Sequence, residues 1–326
     1  MQKVLLLINT ILLNIACLTS TSANAEWEKL DYSTMGTNIV VEVYHSDPRV
    51  RSSALKAVVS EMERINQTMS TYIQSSDVSQ LNKRAFNQDI IVSKELFDLL
   101  ALSFQISELT KGAFDITYAS VGYLYSYPSK TKPSQTQIDE LLNAVNYKLV
   151  SLNETTSSVR FLRKDVKINL GGIAKGYAVD NSIKILRDMG ISNALVTAGG
   201  DTRLLGDRLG KPWIVGIRDP RNPEKQSVVI PLEDSAMSTS GDYERYFEEG
   251  GKRFHHILSP KTGKSTYEVQ SVSIVGPQSV YNDALSTAVF VMGLQEGIGL
   301  INALPEFEAI VMDANRRMHY SNGLAQ

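Results

Sequence analysis

Apolar residues recur along this chain with two spacings, and each spacing predicts an element. Val50, Leu55, Val58, Met62, Ile65 and Met69 repeat at the helical period, so one face of a helix there is buried. Asp47-Pro48 marks its start, a cap followed by proline at the first helical position. Leu96, Leu99, Leu100, Ile106 and Leu109 repeat the pattern behind a Ser93 cap, and Gly112 predicts the stop. Ser134 and Gln137 have the spacing of a capping box for a shorter helix reaching Val145. A fourth helix is expected from Ile173 to Met189, closed by Gly190, and two more over Tyr281–Met292 and Gln295–Leu304.

Between the helices, short runs rich in β-branched and aromatic residues predict strands. They are Asn38–Tyr44, Tyr147–Leu152, Ser157–Leu162, Val166–Leu170, Ala194–Ala198, Trp213–Arg218, Ser227–Pro231, Ala236–Thr239, Phe254–Leu258 and Val272–Val275. A last hairpin is expected at Ala309–Met312 and Arg317–Tyr320, while Tyr123–Pro133 reads as a loop. Strands outnumber helices, and most neighbouring strands are joined by short turns. That combination predicts an α+β fold of mixed, largely antiparallel sheets with packed helices rather than a doubly wound parallel sheet. No composition break marks a linker and no repeat stands out, so residues 26–326 are expected to form a single compact domain.

The first 25 residues read differently. Lys3 precedes an apolar run from Val4 to Leu18, and Ala23-Asn24-Ala25 supplies small residues for cleavage, the three parts of a secretory signal. The run is short for a membrane span, which needs ~20 residues. Cleavage after Ala25 and an exported, periplasmic location follow as expectations. Ala16-Cys17 offers the alternative of a lipid-modified cysteine holding the protein on the inner membrane. Cys17 is the chain's one cysteine, so after cleavage at Ala25 the core alone must stabilise the exported chain. The composition is ordinary for a globular protein, at 43% hydrophobic and 21% charged. A formal charge of −2 excludes the basic footprint of a nucleic-acid binder.

Candidate chemistry gathers where a strand is expected to become a helix, in Asn169-Leu170-Gly171-Gly172-Ile173-Ala174-Lys175-Gly176. Helix starts leave N–H groups unpaired and attract anions; bare glycines let a ligand approach, and Lys175 adds charge. The same spacing also suits a plain tight turn, with Gly176 serving close helix packing. Ala198-Gly199-Gly200-Asp201 is a second bare turn, of a kind that hairpins also use. Asp283 and Thr287 lie four apart on a helix and share a face; as hard oxygen donors they suit Mg²⁺, or else Asp283 complements the helix start and Thr287 packs. His255 and His256 must face opposite sides of a strand, so only one can enter a site, where it could take a proton from a hydroxyl.

In chain order these pieces form a series: Met35-Gly36-Thr37, Met69-Ser70-Thr71-Tyr72, Gly112-Ala113-Phe114-Asp115, the glycine turn through Asp180, the second glycine turn, Ser238-Thr239-Ser240-Gly241-Asp242-Tyr243, the His255-His256 stretch and Asp283 with Thr287. The series resembles the ApbE family of FAD:protein FMN transferases over Met35 to Met312. The resemblance implies an enzyme that splits FAD, places its FMN half on a Ser or Thr hydroxyl of an acceptor flavin-subunit protein of a membrane or exported redox system, and releases AMP with Mg²⁺ as metal. It implies FAD contacts at Met35, Tyr72, Ala113, Phe114, Asp115, Asn169, Lys175 and Ile257, and a metal site from Gly172, Asp283 and Thr287. His256 matches the family's base, and Asn169 stands where members often carry aspartate. An FAD pyrophosphatase giving FMN and AMP, or a non-catalytic exported flavin carrier, would share much of this pattern.

Overall fold

A computed structural model describes residues 26–324; the expected leader, its cleavage point and Cys17 lie outside them. The chain opens with a hairpin of β1 (Glu26–Thr34) and β2 (Thr37–His45), then passes through α1 (Pro48–Met69), α2 (Asp77–Arg84), β3 (Ile90–Ile91) and α3 (Lys94–Leu109). Next come α4 (Ala119–Gly122), α5 (Gln135–Leu142), β4 (Val150–Asn153), β5 (Ser158–Phe161), α6 (Ala174–Asp188), β6 (Asn193–Ala198) and β7 (Asp201–Leu205). The second half holds β8 (Trp213–Asp219), β9 (Asn222–Leu232), β10 (Ala236–Gly241), β11 (Tyr246–Glu249), β12 (Lys252–His255), β13 (Val269–Gly276), α7 (Ser279–Met292), α8 (Leu294–Asn302), β14 (Glu308–Asp313) and β15 (Met318–Tyr320).

One eight-stranded sheet, in the order β1-β2-β6-β7-β10-β13-β14-β15, carries the architecture, and every pairing in it is antiparallel. Alternation along its strands separates two cores. Ile39, Val41 and Val43 of β2 and Ala194 and Val196 of β6 face Leu55, Val58 and Met62 of α1 and Ala178 and Ile183 of α6. On the opposite face Leu204, Met237 and Ile310 meet Trp213, Val215 and Ile217 of the β8–β9 hairpin. Helices, sheet and hairpin therefore stack as layers, which is the expected antiparallel α+β fold.

The expected caps form. Asp47 accepts the Arg49 N–H at 2.8 Å, and Ser134 and Gln137 close a capping box at 3.3 and 2.9 Å. Three strand expectations need correction. Val166–Leu170 alternates as a strand should, with Val166, Ile168 and Leu170 buried, yet pairs with no strand. Its backbone bonds go instead to Ser120 Oγ, Asn82 Oδ1 and Ile116 O, so side chains stand in for the ladder. Tyr147–Leu149 is a 3₁₀ turn ahead of β4, and β12 ends at His255, leaving His256 to Leu258 outside it. Strands β1, β3, β7 and β11 and helices α2 and α4 were not expected; α2 buries only Val78 and Leu81, too few to show a stripe.

Candidate active site

Asn169 organises the approach to the glycine turn. Its side-chain oxygen accepts the Gly171 N–H at 2.7 Å and its amide donates to Thr71 Oγ1 at 3.1 Å, tying the turn to the segment after α1. An aspartate could keep the second bond only with its direction reversed, the Thr71 hydroxyl donating to the carboxylate. Gly172 then passes between α7 and the Phe114 ring: a Cβ there would lie 3.3 Å from Thr287 Oγ1 and 3.4 Å from Phe114 Cε2. Gly176 marks the tightest crossing of the two helices, because its Cβ would meet Ser279 O at 2.3 Å and Asp283 Cβ at 2.9 Å. Bare backbone thus serves both purposes here, close approach at Gly172 and close packing at Gly176.

Lys175 projects from the first turn of α6 into a pair of buried carboxylates. Its Nζ donates to Asp201 Oδ2 at 2.5 Å and to Asp283 Oδ2 and Oδ1 at 3.3 and 3.4 Å. Burial alone would lower the Lys175 pKa, but Asp201 and Asp283 outweigh it and hold the ammonium above its ordinary range. The Asp283 pKa is raised as well: burial and the Asp201 charge push it up, against Lys175 and the Gly176 N–H. Asp201 heads β7 in the second glycine turn, where a Cβ on Gly200 would strike Thr239 O at 2.5 Å. The turn's glycines therefore let Asp201 sit beneath Lys175. Thr287, one turn after Asp283, shares a 3.1 Å contact with Ser240 Oγ.

The two histidines have different surroundings, although His256 lies past the end of β12 and not in one strand with His255. His255 is buried, with Nε2 2.5 Å from Thr266 O and its ring edge-on to Phe290 and Tyr267. His256 faces elsewhere, its Nδ1 shut from solvent without a hydrogen-bond partner. Burial, then the charges of Arg245, His255 and Lys175, push its imidazole down to about 3. The Arg245 carbonyl accepts the His256 N–H at 3.1 Å, and a Cβ at Gly36 would lie 3.1 Å from Arg245 Nη2. Arg245 thereby links the β1–β2 turn to His256.

The remaining residues suggested by resemblance fall into two kinds. Tyr72 stands 81% exposed on the same segment as Thr71, and Met35 occupies the β1–β2 turn at φ +53°, a conformation that costs a non-glycine residue about 1–2 kcal/mol. Ala113, Phe114 and Asp115 are buried. Both Asp115 oxygens are engaged, Oδ1 by the Thr117 N–H and hydroxyl at 2.8 and 2.6 Å and Oδ2 by the Tyr147 N–H at 2.9 Å. The Ile257 side chain packs with Leu285, Val289 and Phe290 in a further core. Asp115 and Ile257 are therefore structural through their side chains, leaving main-chain atoms for a ligand. Asp242 is likewise engaged, bidentate to Arg221 at 2.7 and 2.6 Å.

Resemblance named Asp283, Thr287, Gly172, Lys175 and His256, and the fold gathers the first four into one cluster. Sequence reasoning left Asp201 without a role and passed over Arg245. Their signals, a carboxylate ending a glycine turn and a cation three residues past Asp242, are too common to stand out alone. Among the described residues no three His, Cys, Asp or Glu side chains converge as a metal set. A cation at this site would rely on Asp283 together with hydroxyl and carbonyl oxygen.

Known proteins resemble this chain over most of its length. The profile of the ApbE family matches residues 35–311. An FAD:protein FMN transferase from Treponema pallidum is 30% identical over 309 residues, covering 89% of this chain and 85% of that protein. One from Vibrio cholerae is 32% identical over 287 residues, covering 86% and 85%. Among solved structures, the ApbE protein of Thermotoga maritima superposes with a TM-score of 0.85 at 33% identity, over 91% of this chain and 98% of that one.

Proposed function

The chain belongs to the ApbE family, and from that membership and the clustered site we propose that it is an FAD:protein FMN transferase. It moves the FMN moiety of FAD to a Ser or Thr hydroxyl of an acceptor flavoprotein, releases AMP, and uses Mg²⁺. The observation that carries this reading is the meeting of Gly172, Lys175, Asp283 and Thr287 where α6 begins. Two buried carboxylates, Asp201 and Asp283, share a single ammonium, and with both ionised one negative charge is left for a cation to balance. Asp283, the Thr287 hydroxyl and the Gly172 carbonyl are hard oxygen donors that suit Mg²⁺. Bound there, the metal supplies Lewis-acid polarisation of a pyrophosphate.

The protein's own residues do the rest. Lys175 stays an ammonium and, with the positive end of the α6 dipole, attracts the FAD phosphates. In the transfer the acceptor oxygen bonds to the FMN phosphorus as that phosphorus loses its bridging oxygen, and AMP departs with the electron pair. The hydroxyl proton passes to the neutral His256 imidazole. The anionic phosphates of bound FAD oppose the charges of Arg245 and Lys175 and raise the basicity of His256. With a leader over residues 1–25, the acceptors would be flavin subunits of membrane or exported redox systems met in the periplasm.

The test is incubation with FAD, Mg²⁺ and a candidate acceptor, followed by a denaturing gel. Flavin fluorescence should travel with the acceptor band and vanish when the metal is chelated. FMN and AMP accumulating with no fluorescent acceptor, across acceptors that other family members flavinylate, would instead indicate a hydrolase.

A further inference from the structure

Neither of the helices that frame the site caps its own beginning. Ile173 precedes α6 and Gln278 precedes α7, and neither side chain bonds to the following turn. Each helix supplies the cap the other lacks. Asp180, on the second turn of α6, accepts the Ser279 and Val280 N–H groups of α7 at 3.0 and 2.9 Å. Asp283, on the second turn of α7, accepts the Gly176 N–H of α6 at 3.1 Å. Gly176 and Asp180 lie four apart on one face of α6, and Ser279 and Asp283 lie four apart on one face of α7. The missing Cβ of Gly176 lets the faces close.

We infer that Asp180 is a positioning residue for the metal site: by capping α7 from α6 it fixes the helix that presents Asp283 and Thr287 beside Gly172. This rests on the proposed metal site and extends it to a residue outside that site. A carboxylate between two N–H groups at a helix start meets the positive end of the dipole, and charge-assisted bonds of this kind are among the stronger ones. Burial raises the Asp180 pKa, while the two N–H bonds and the nearby Arg203 charge oppose that rise. Asp283 cannot do both jobs for α7, because its oxygens already serve Gly176 and Lys175. Without Asp180 the first turn of α7 has no side-chain acceptor, and the carboxylate and hydroxyl one and two turns later lose their fixed distance from the glycine turn.

The experiment measures Mn²⁺ affinity by paramagnetic resonance on the full chain, with flavinylation rate against Mg²⁺ and against FAD as a second readout. Asp180→Asn keeps one acceptor, Asp180→Ala none. Supporting residues of metal sites typically cost about 10–100-fold in affinity when removed, so Mn²⁺ binding should weaken by that order in Asp180→Ala and less in Asp180→Asn. The apparent KM for Mg²⁺ should rise more than that for FAD. Gln278 already has the extended backbone of a cap, at φ −140° and ψ 135°. Gln278→Asp added to Asp180→Ala should therefore restore much of the Mn²⁺ affinity by capping α7 locally. Folded Asp180 variants with wild-type Mn²⁺ affinity would overturn the inference alone, and so would failure of the Gln278→Asp rescue in a folded double variant. A wild-type chain that binds no Mn²⁺ would overturn the metal site and this inference with it.

Discussion

Replacing Gly176 with alanine adds a single methyl group at the crossing of α6 and α7. That carbon would stand 2.3 Å from the Ser279 carbonyl oxygen, 2.7 Å from its carbon and 2.9 Å from Asp283 Cβ. Carbon–oxygen contacts settle near ~3.3 Å, so the helices must part by about 1 Å. Overpacking of this kind costs about 1–3 kcal/mol, and the gain of about 1 kcal/mol from alanine's helix propensity offsets part of it. A net loss of up to about 2 kcal/mol corresponds to a melting temperature lower by as much as roughly 3 °C. The rate should suffer more, because a shift of about 1 Å at reacting groups can cost ~10²-fold. Gly299 in α8 is the matched control: a Cβ there meets nothing within 4 Å, so Gly299→Ala should be neutral or slightly stabilising. Melting curves and initial flavinylation rates of both variants test the point. If Gly176→Ala melts and turns over like Gly299→Ala, the close crossing does not hold the site together.

Other outcomes follow from individual groups. His256 is held neutral in the folded chain down to about pH 3, whereas an unfolded histidine takes a proton near ~6.5. The unfolded state therefore binds more protons in that window, and stability should fall as pH drops from ~6.5 towards 3. His256→Gln should flatten this part of the denaturant-midpoint profile, and an unchanged slope would count against the assignment. Tyr72, at 81% exposure, should be removable without effect on melting beyond ~0.5 kcal/mol. If its ring stacks on FAD, Tyr72→Ala should raise the KM for FAD about 2–10-fold, and an unaltered KM would exclude the contact.

Much of this fold was legible because its long elements obey one rule at a time. Helix α1 shows a stripe ending in buried Met69 and begins at a capping Asp47, and α3 and α6 are as plainly patterned. The misses occur where the rule is diluted. Strand β1, with the sequence EWEKLDYST, lies at the edge of the sheet and buries none of its residues fully, so it carries no clean alternation. Val166–Leu170 has the alternation but spends its hydrogen bonds on Asn82 and Ser120, which distance in sequence hides. At the site, bare glycine and the spacing of Asp283 and Thr287 announced themselves, yet composition left their purpose open. The Lys175–Asp201 pair and the capping of α7 by Asp180 join residues 26 and about 100 positions apart. No local pattern encodes such contacts; the antiparallel sheet and the α6–α7 crossing create them.

The most direct test of the central claim is the mass of the acceptor protein before and after reaction with FAD and Mg²⁺, for the wild-type chain and for Asp283→Ala. The account predicts a gain of one FMN moiety, mapped to a Ser or Thr peptide, with the wild-type chain and no gain with the variant. An equal gain with both proteins would contradict the metal site at Asp283, and no gain with an acceptor that another family member does modify would contradict the transferase assignment.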